Sequence, residues 1–308
     1  MKDIAVILVH YNSGTMTGAC IDTLLQFTPP SLRLQIIVVD NGSAIDDYLQ
    51  LKAYCDQCTF PDLQLIRSSI NTGFGLGNML GYQHVNAHYV AFVNSDTFFL
   101  NDCLGILKTY LDTHPEVAVV GGQSYTEKGE RMMAFDHFAS LTKELIGRDF
   151  LEKIQPKKYP KRKKEYTAPV AVSYVQGSFL FVRCSDFNAV GGFDTNLFLY
   201  YEETDLCLRI AKETGKTCCL VPEARYVHYH GASTPSSILI KTELKISLLY
   251  IMRKHYGFWA HAVLLNYLRL TYSLSTLFKP KYFHLWKTLW AGAPLSASLR
   301  HRQKITFL

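Results

Sequence analysis

Short unbroken apolar runs, each ending in a polar or glycine-rich cluster, set the rhythm of the first hundred residues. Ile4 to Val9 reads IAVILV and stops at His10-Tyr11-Asn12-Ser13-Gly14. Ile36 to Val39 stops at Asp40-Asn41-Gly42-Ser43. Leu63 to Arg67 leads into Asn71-Thr72-Gly73-Phe74-Gly75-Leu76-Gly77, and Tyr89 to Val93 stops at Asn94-Ser95-Asp96. A short continuous apolar run predicts a strand buried on both faces, as in a parallel sheet. The stretches between, 17–26, 45–54 and 78–86, read as helices, and Pro29-Pro30 breaks the first. Four such strand–helix units predict a doubly wound α/β sheet. Ligands of these sheets bind beyond the carboxyl ends of the strands, so the four clusters are expected to share one site.

Beyond residue 100 the pattern predicts a strand over 174–183 and a turn at Gly191-Gly192-Phe193-Asp194. A helix over 204–214 closed by Gly215 follows, and 227–231 completes the core. A helix is expected over 238–255, with Leu, Ile and Tyr on one side and Lys on the other. Residues 258–278 are mostly apolar but hold His261, Asn266 and Arg269. An Arg in mid-span costs ~2.5–3.5 kcal/mol, so a membrane-spanning helix is not expected there.

Charge adds one feature. The chain of 308 residues has a formal net charge of +6, yet residues 235–308 hold eleven Lys/Arg and a single acid, Glu243. The tail is a basic appendage on a mildly acidic body. With Trp259, Trp286 and Trp290 beside Lys and Arg, it suits the surface of an anionic membrane. A helical cap on the body or a homodimer contact through the tail are the other readings. No nucleic-acid motif accompanies the charge, so nucleic acid is not expected as a partner. The basic run 153–164 reads as a solvated loop, with a loop over an anionic ligand as the alternative. The eight scattered cysteines, with Cys55 and Cys58 lacking a second pair at zinc spacing, read as reduced thiols. The N-terminus shows no signal-peptide pattern. Together these predict a cytoplasmic location.

Several residues can carry chemistry. Asp96, just past a buried strand, suits Mg²⁺ or Mn²⁺, which prefer oxygen ligands and bridge phosphates; a helix-capping Asp is the plain alternative. Asp40 can accept from a ribose hydroxyl or a base N–H, or simply form the turn. The glycine-rich stretch at 71–77 lacks the spacing of a dinucleotide fingerprint, though it can bring backbone close to a ligand. Glu202-Glu203-Thr204-Asp205 places three acids at a helix start. There the helix dipole stabilises them, while their mutual repulsion can raise one toward the range of a general base. His228 and His230 follow the last strand and are candidate metal ligands.

In order along the chain stand ILVHYNSG, VVDNGS, NTGFGLGN, FVNSD, GSFLFVR, GGFDTNLFLYYEETDLCLR and HYHGAST, spanning about residues 4 to 233. This set resembles the inverting family-2 glycosyltransferases of the GT-A fold, especially their bacterial rhamnosyltransferase-like branch. The resemblance implies a catalytic domain over 1–234, its nucleotide-sugar half about 1–100 and its acceptor half about 101–234. Residues 235–308 form the basic helical tail. It places His10, Tyr11, Asp40, Asn71, Gly73, Asn94, Ser95 and Asp96 at the nucleotide-sugar, and Gly177, Asp194 and Glu202 near the acceptor. Asp96 and His228 would hold Mg²⁺ or Mn²⁺, with His230 as second choice. Glu203 occupies the position of the base that deprotonates the acceptor hydroxyl, and Glu202 is the alternative.

Three departures stand out. The catalytic slot is usually Asp, and the extra methylene of Glu203 moves the carboxylate by roughly 1.5 Å. Met79 replaces a frequent second Asn. Asn94 is neutral, so fewer fixed charges face the metal. The implied reaction moves a sugar, L-rhamnose from dTDP-rhamnose by likeness, from a nucleoside-diphosphate donor to a glycan or lipid-linked saccharide. It would take place at the cytoplasmic face of a bacterial inner membrane. A different sugar such as galactose or N-acetylglucosamine, or a non-catalytic nucleotide-sugar-binding protein, is the alternative. A nucleotidyltransferase would need a basic loop after the first strand, and 10–14 has no Lys or Arg.

Overall fold

A computed structural model describes residues 1–229 and 237–306. In chain order the elements are β1 (Lys2–His10), α1 (Met16–Phe27), β2 (Leu34–Asn41), α2 (Ile45–Gln57), β3 (Leu63–Ser68), α3 (Gly73–Tyr82), β4 (Ala87–Asn94), β5 (Thr97–Phe99) and α4 (Cys103–Thr113). Then come β6 (Val117–Tyr125), β7 (Phe135–Asp136), α5 (Leu141–Ile146), α6 (Arg148–Ile154), β8 (Val170–Val172), β9 (Tyr174–Val175), β10 (Phe179–Arg183) and α7 (Cys184–Ala189). The chain continues through α8 (Glu202–Thr214), β11 (Thr217–His228), α9 (Ile238–Phe278) and α10 (Phe283–Trp290).

The expected α/β architecture is present. Strands β3, β2, β1 and β4 lie side by side and parallel, in that order. Successive β1 side chains point to opposite faces. Ile4, Val6 and Leu8 enter the core under α1 and α4, while Ile7 joins Ile37, Val39 and Phe92 in the core under α7 and α8. Both faces of β1 are therefore covered, which is why its sequence is unbroken rather than alternating. Strand β10 runs antiparallel between β4 and β6, and β6, β11 and β5 extend the sheet. The chain order reverses direction at β1, between β2 and β4, which makes it the switch point of the sheet. The register sets His10 opposite Asp40 and Val9 opposite Asn94, so the three strand ends are level.

Two boundaries and the burial of one residue differ from the pattern-based expectation. Helix α3 starts at Gly73 rather than Asn78, so the glycines lie inside it. Packing on β1 and β2 outweighs the ~1 kcal/mol that each glycine costs a helix. The run 174–183 is two strands, because β9 leaves the main sheet to pair with β7. In the basic stretch Arg162 is buried, held by Glu152 at 2.6 Å and Asp149 at 2.9 Å; the neighbouring lysines are exposed.

The tail folds back onto the body. Helix α9 breaks at Gly257 (φ 81, ψ −170), a conformation closed to most side chains, and continues as a second arm over 258–278. Ile246, Leu249 and Met252 of the first arm pack with Leu264, Leu285 and Leu289, and with Ala139 and Leu197 of the body. Among the described residues no helix is long and apolar enough to cross a membrane.

Candidate active site

The level strand ends open into a cleft of about 700 Å³. Tyr11 follows β1; Asn71 and Gly73 begin α3; Asn94, Ser95 and Asp96 follow β4. Gly177, Glu202, Glu203 and His228 complete its opposite side. Ten residues singled out in the sequence thus share one concavity.

Local hydrogen bonds explain how each is held. The Asn71 side chain accepts from the Gly73 N–H at 2.8 Å, and Asn41 Oδ1 accepts from the Thr72 N–H at 3.0 Å. These side chains from outside the helix satisfy donors at its start. The Phe74 N–H donates to the Phe198 carbonyl at 2.9 Å, tying α3 to the segment before α8. Gly73 has φ +84, and a Cβ there would collide with that same carbonyl oxygen. Gly73→Ala is expected to cost about 1–2 kcal/mol from the backbone alone and to displace 198–201. A lowered thermal midpoint with slowed turnover would show it; a wild-type melt would remove the constraint.

Asp96 is anchored by its own carbonyl, which accepts from the Tyr229 N–H at 3.0 Å. That bond holds the end of β11 beside the β4 end. His228 Nε2 consequently lies 3.3 Å from Asp96 Oδ1 and 3.5 Å from Asn94 Nδ2. His230 lies outside the described residues. Among the described residues no group of three or more His, Cys, Asp or Glu could hold a metal. Asp96 and His228 are two converging donors, an oxygen and a nitrogen, that would hold a divalent cation beside a bound diphosphate.

The carboxylate pair sits at the first turn of α8, after Tyr200 (φ 73) and Tyr201 (φ 71). Left-handed backbone at two consecutive bulky residues is strained, and such strain concentrates at functional sites. Glu202 is buried and its Oε1 makes no hydrogen bond. Burial, reinforced by the Glu203 charge, raises its pKa well above the usual carboxylate range. Glu203 is partly exposed, and a Cβ placed on Gly177 would sit 3.8 Å from its carboxyl carbon. Burial pushes Glu203 up to about 7.

Three expected site residues stand outside the cleft lining. His10 is fully buried, with Nδ1 2.7 Å from Thr17 Oγ1 and Nε2 2.5 Å from Asp47 Oδ2; it braces the 10–14 loop. Asp194 Oδ2 accepts from Tyr250 Oη at 2.7 Å and Lys254 Nζ at 2.7 Å, so it ties the body to the tail. Asp40 is fully buried, 3.5 Å from Arg67 Nε, and burial raises its pKa. Its Oδ2 and both terminal nitrogens of Arg67 are buried without hydrogen-bond partners.

Other lining residues carried no separate signal in the sequence. Asp136 comes from the short β7, and Leu239, Ile240, Leu299 and Gln303 come from the tail. The lining holds four carboxylates, Asp96, Asp136, Glu202 and Glu203, and neither Lys nor Arg among the described residues.

The profile of glycosyl transferase family 2 matches residues 5–190. The rhamnosyltransferase WbbL of Escherichia coli (strain K12) is 29% identical over 233 residues, covering 71% of this chain and 83% of that protein. The N-acetylglucosaminyl-diphospho-decaprenol L-rhamnosyltransferase of Mycobacterium tuberculosis (strain CDC 1551 / Oshkosh) is 37% identical over 91 residues, 29% of each chain. Among solved structures, that of GalNAc-T7 with UDP, GalNAc and Mn²⁺ superposes with a TM-score of 0.62 at 14% identity. It covers 94% of this chain and 56% of that one, a likeness of fold. With more than half of its length matched to a single family, the chain belongs to glycosyl transferase family 2 and is a hexosyltransferase.

Proposed function

We propose that the protein transfers L-rhamnose from dTDP-rhamnose, with inversion and with a divalent cation, to a hydroxyl of a lipid-linked saccharide. The reaction takes place at the cytoplasmic face of a bacterial inner membrane. The observation that carries this is the composition of the cleft. Among the described residues the lining offers a diphosphate no Lys or Arg, while Asp96 and His228 converge at 3.3 Å on one side of it. A Mg²⁺ or Mn²⁺ held by Asp96 and His228 would neutralise the diphosphate and so make it a better leaving group. The names of the two rhamnosyltransferase relatives support the sugar, and that of the mycobacterial enzyme supports a lipid-linked acceptor.

The chain's own residues supply the rest. Glu203 acts as the base: it reaches the cleft, and its pKa of about 7 places it near the operating pH. It takes the proton of the acceptor hydroxyl, whose oxygen attacks the anomeric carbon opposite the diphosphate. Glu202, with its pKa raised further, stays protonated beneath it. Gly177 leaves room beside the Glu203 carboxylate.

The test is a panel of nucleoside-diphosphate sugars incubated with the purified protein and a polyprenyl-diphosphate-linked saccharide. Turnover of dTDP-rhamnose is expected with Mn²⁺ or Mg²⁺, lost in EDTA and restored by added metal. Turnover indifferent to EDTA would remove the cation from the reading. Binding of a donor without turnover under any condition would leave a nucleotide-sugar-binding protein instead.

A further inference from the structure

The second arm of α9 has two apolar faces on opposite sides. Leu264, Leu265, Leu268 and Tyr272 are buried against α10 and the first arm. Trp259, Val263, Leu270, Leu274, Leu277 and Phe278 point outward, with Trp259 79%, Leu270 68%, Leu277 77% and Phe278 83% exposed. At 3.6 residues per turn these six fall within one sector of about 100° and run ~30 Å along the arm. A continuous apolar stripe of that length marks an interaction surface rather than ordinary solvated surface.

The charge around the stripe has one sign. The Arg253 guanidinium lies 5.0 Å from the exposed Phe258 ring. Lys279 and Lys281 follow Phe278 directly, and Lys287 stands on α10 between the exposed Phe283 and Trp290; all three lysines are exposed. Residues 244–306 contain no Asp or Glu. Glu243, the tail's single acid, is buried and accepts from Ser298 Oγ at 2.7 Å and the Leu299 N–H at 2.8 Å. Arg269 does not interrupt the stripe. It is half-buried and donates to the carbonyls of Leu289 at 3.0 Å and Trp290 at 3.2 Å.

We propose that this face inserts into the headgroup boundary of an anionic lipid bilayer, with the second arm of α9 lying in the membrane plane. Outward Trp and Leu bordered by Lys and Arg are the composition of an in-plane interfacial helix. A second copy of the chain seated on the stripe would set the same cations against each other across a two-fold axis, whereas anionic headgroups neutralise them. The inference rests on the reading that the acceptor is lipid-linked. The first arm of the same helix lends Leu239 and Ile240 to the cleft wall, so docking would hold the cleft at the surface from which such an acceptor projects.

The experiment is flotation of the full chain with phosphatidylcholine vesicles containing or lacking phosphatidylglycerol, read alongside donor turnover in solution. The wild type is expected to float with the anionic vesicles and to lose binding in their absence. The exposed-site variant Trp259→Ser/Leu270→Ser/Leu277→Ser is expected to float at least about tenfold less. Lys279→Gln/Lys281→Gln is expected to lose about fivefold per lysine. Both variants should keep wild-type donor turnover, which shows that the fold is intact. A wild type that stays unfloated with anionic vesicles, or a triple variant that floats like it, overturns the proposal. So does a wild-type dimer that the triple variant splits while neither floats. Flotation without any donor turnover removes the proposed reaction and leaves this face standing; turnover without flotation does the reverse.

Discussion

Glu203→Gln is expected to lower sugar transfer by about 10²–10⁴-fold, the usual contribution of a general base, while donor affinity stays nearly unchanged. The amide keeps the size and the hydrogen bonding of the side chain but cannot take a proton. Because burial pushes Glu203 up to about 7, wild-type rate should climb as pH rises through about 7 and level off above it. The variant should lose that limb, and Glu202→Gln should keep it. A Glu203→Gln enzyme with wild-type turnover would shift the role to Glu202. The same shift carries a stability cost of known sign. The folded state holds a proton that the unfolded chain releases from about 4.5 upward. This contribution is therefore full below about 4.5 and is lost as pH rises through about 7.

The second large effect concerns the joint between α8 and the tail. Asp205 is fully buried and accepts from Arg209 Nε at 2.8 Å, Lys254 Nζ at 2.6 Å and His255 Nε2 at 2.7 Å. Lys254 and His255 belong to the first arm of α9, so one carboxylate joins the helix that carries Glu202 and Glu203 to the basic tail. Asp205→Asn removes the buried counter-charge shared by the half-buried Arg209 and the partly exposed Lys254, and is expected to destabilise the protein by about 2 kcal/mol. Chemical denaturation would measure it; a loss below ~1 kcal/mol would mean that solvent reaches Lys254 and Arg209 well enough to replace the carboxylate. Burial raises the Asp205 pKa, but His255, Arg209 and Lys254 more than offset this and hold it at about 2. The stability it contributes is thus complete above the ordinary value of 3.8 and disappears as pH falls through about 2.

Much of the site was legible because polar clusters at strand ends have one place to go in a doubly wound sheet. Tyr11, Asn71, Asn94 and Asp96 come from three such clusters, and the level register brings them to one cleft. Glu202 and Glu203 were visible as an acid pair at a helix start. Their different protonation tendencies depend on how far each is buried, which no residue pattern encodes. His10, Asp40 and Asp194 lie in equally promising text, yet Asp47, Arg67 and Lys254, brought in from distant segments, occupy their side chains.

The order of apolar runs and polar stops was sufficient to specify the α/β sheet, the shared cleft and the family, because strand burial and side-chain alternation are local properties written at fixed spacing. The closing of that cleft by Leu239, Ile240 and Leu299, the left-handed Tyr200-Tyr201 corner and the outward stripe of α9 arose from long-range packing. A helix with apolar faces on opposite sides carries no mark of which one its own chain will cover. That depends on where Gly257 turns it and on what α10 and the body then bury.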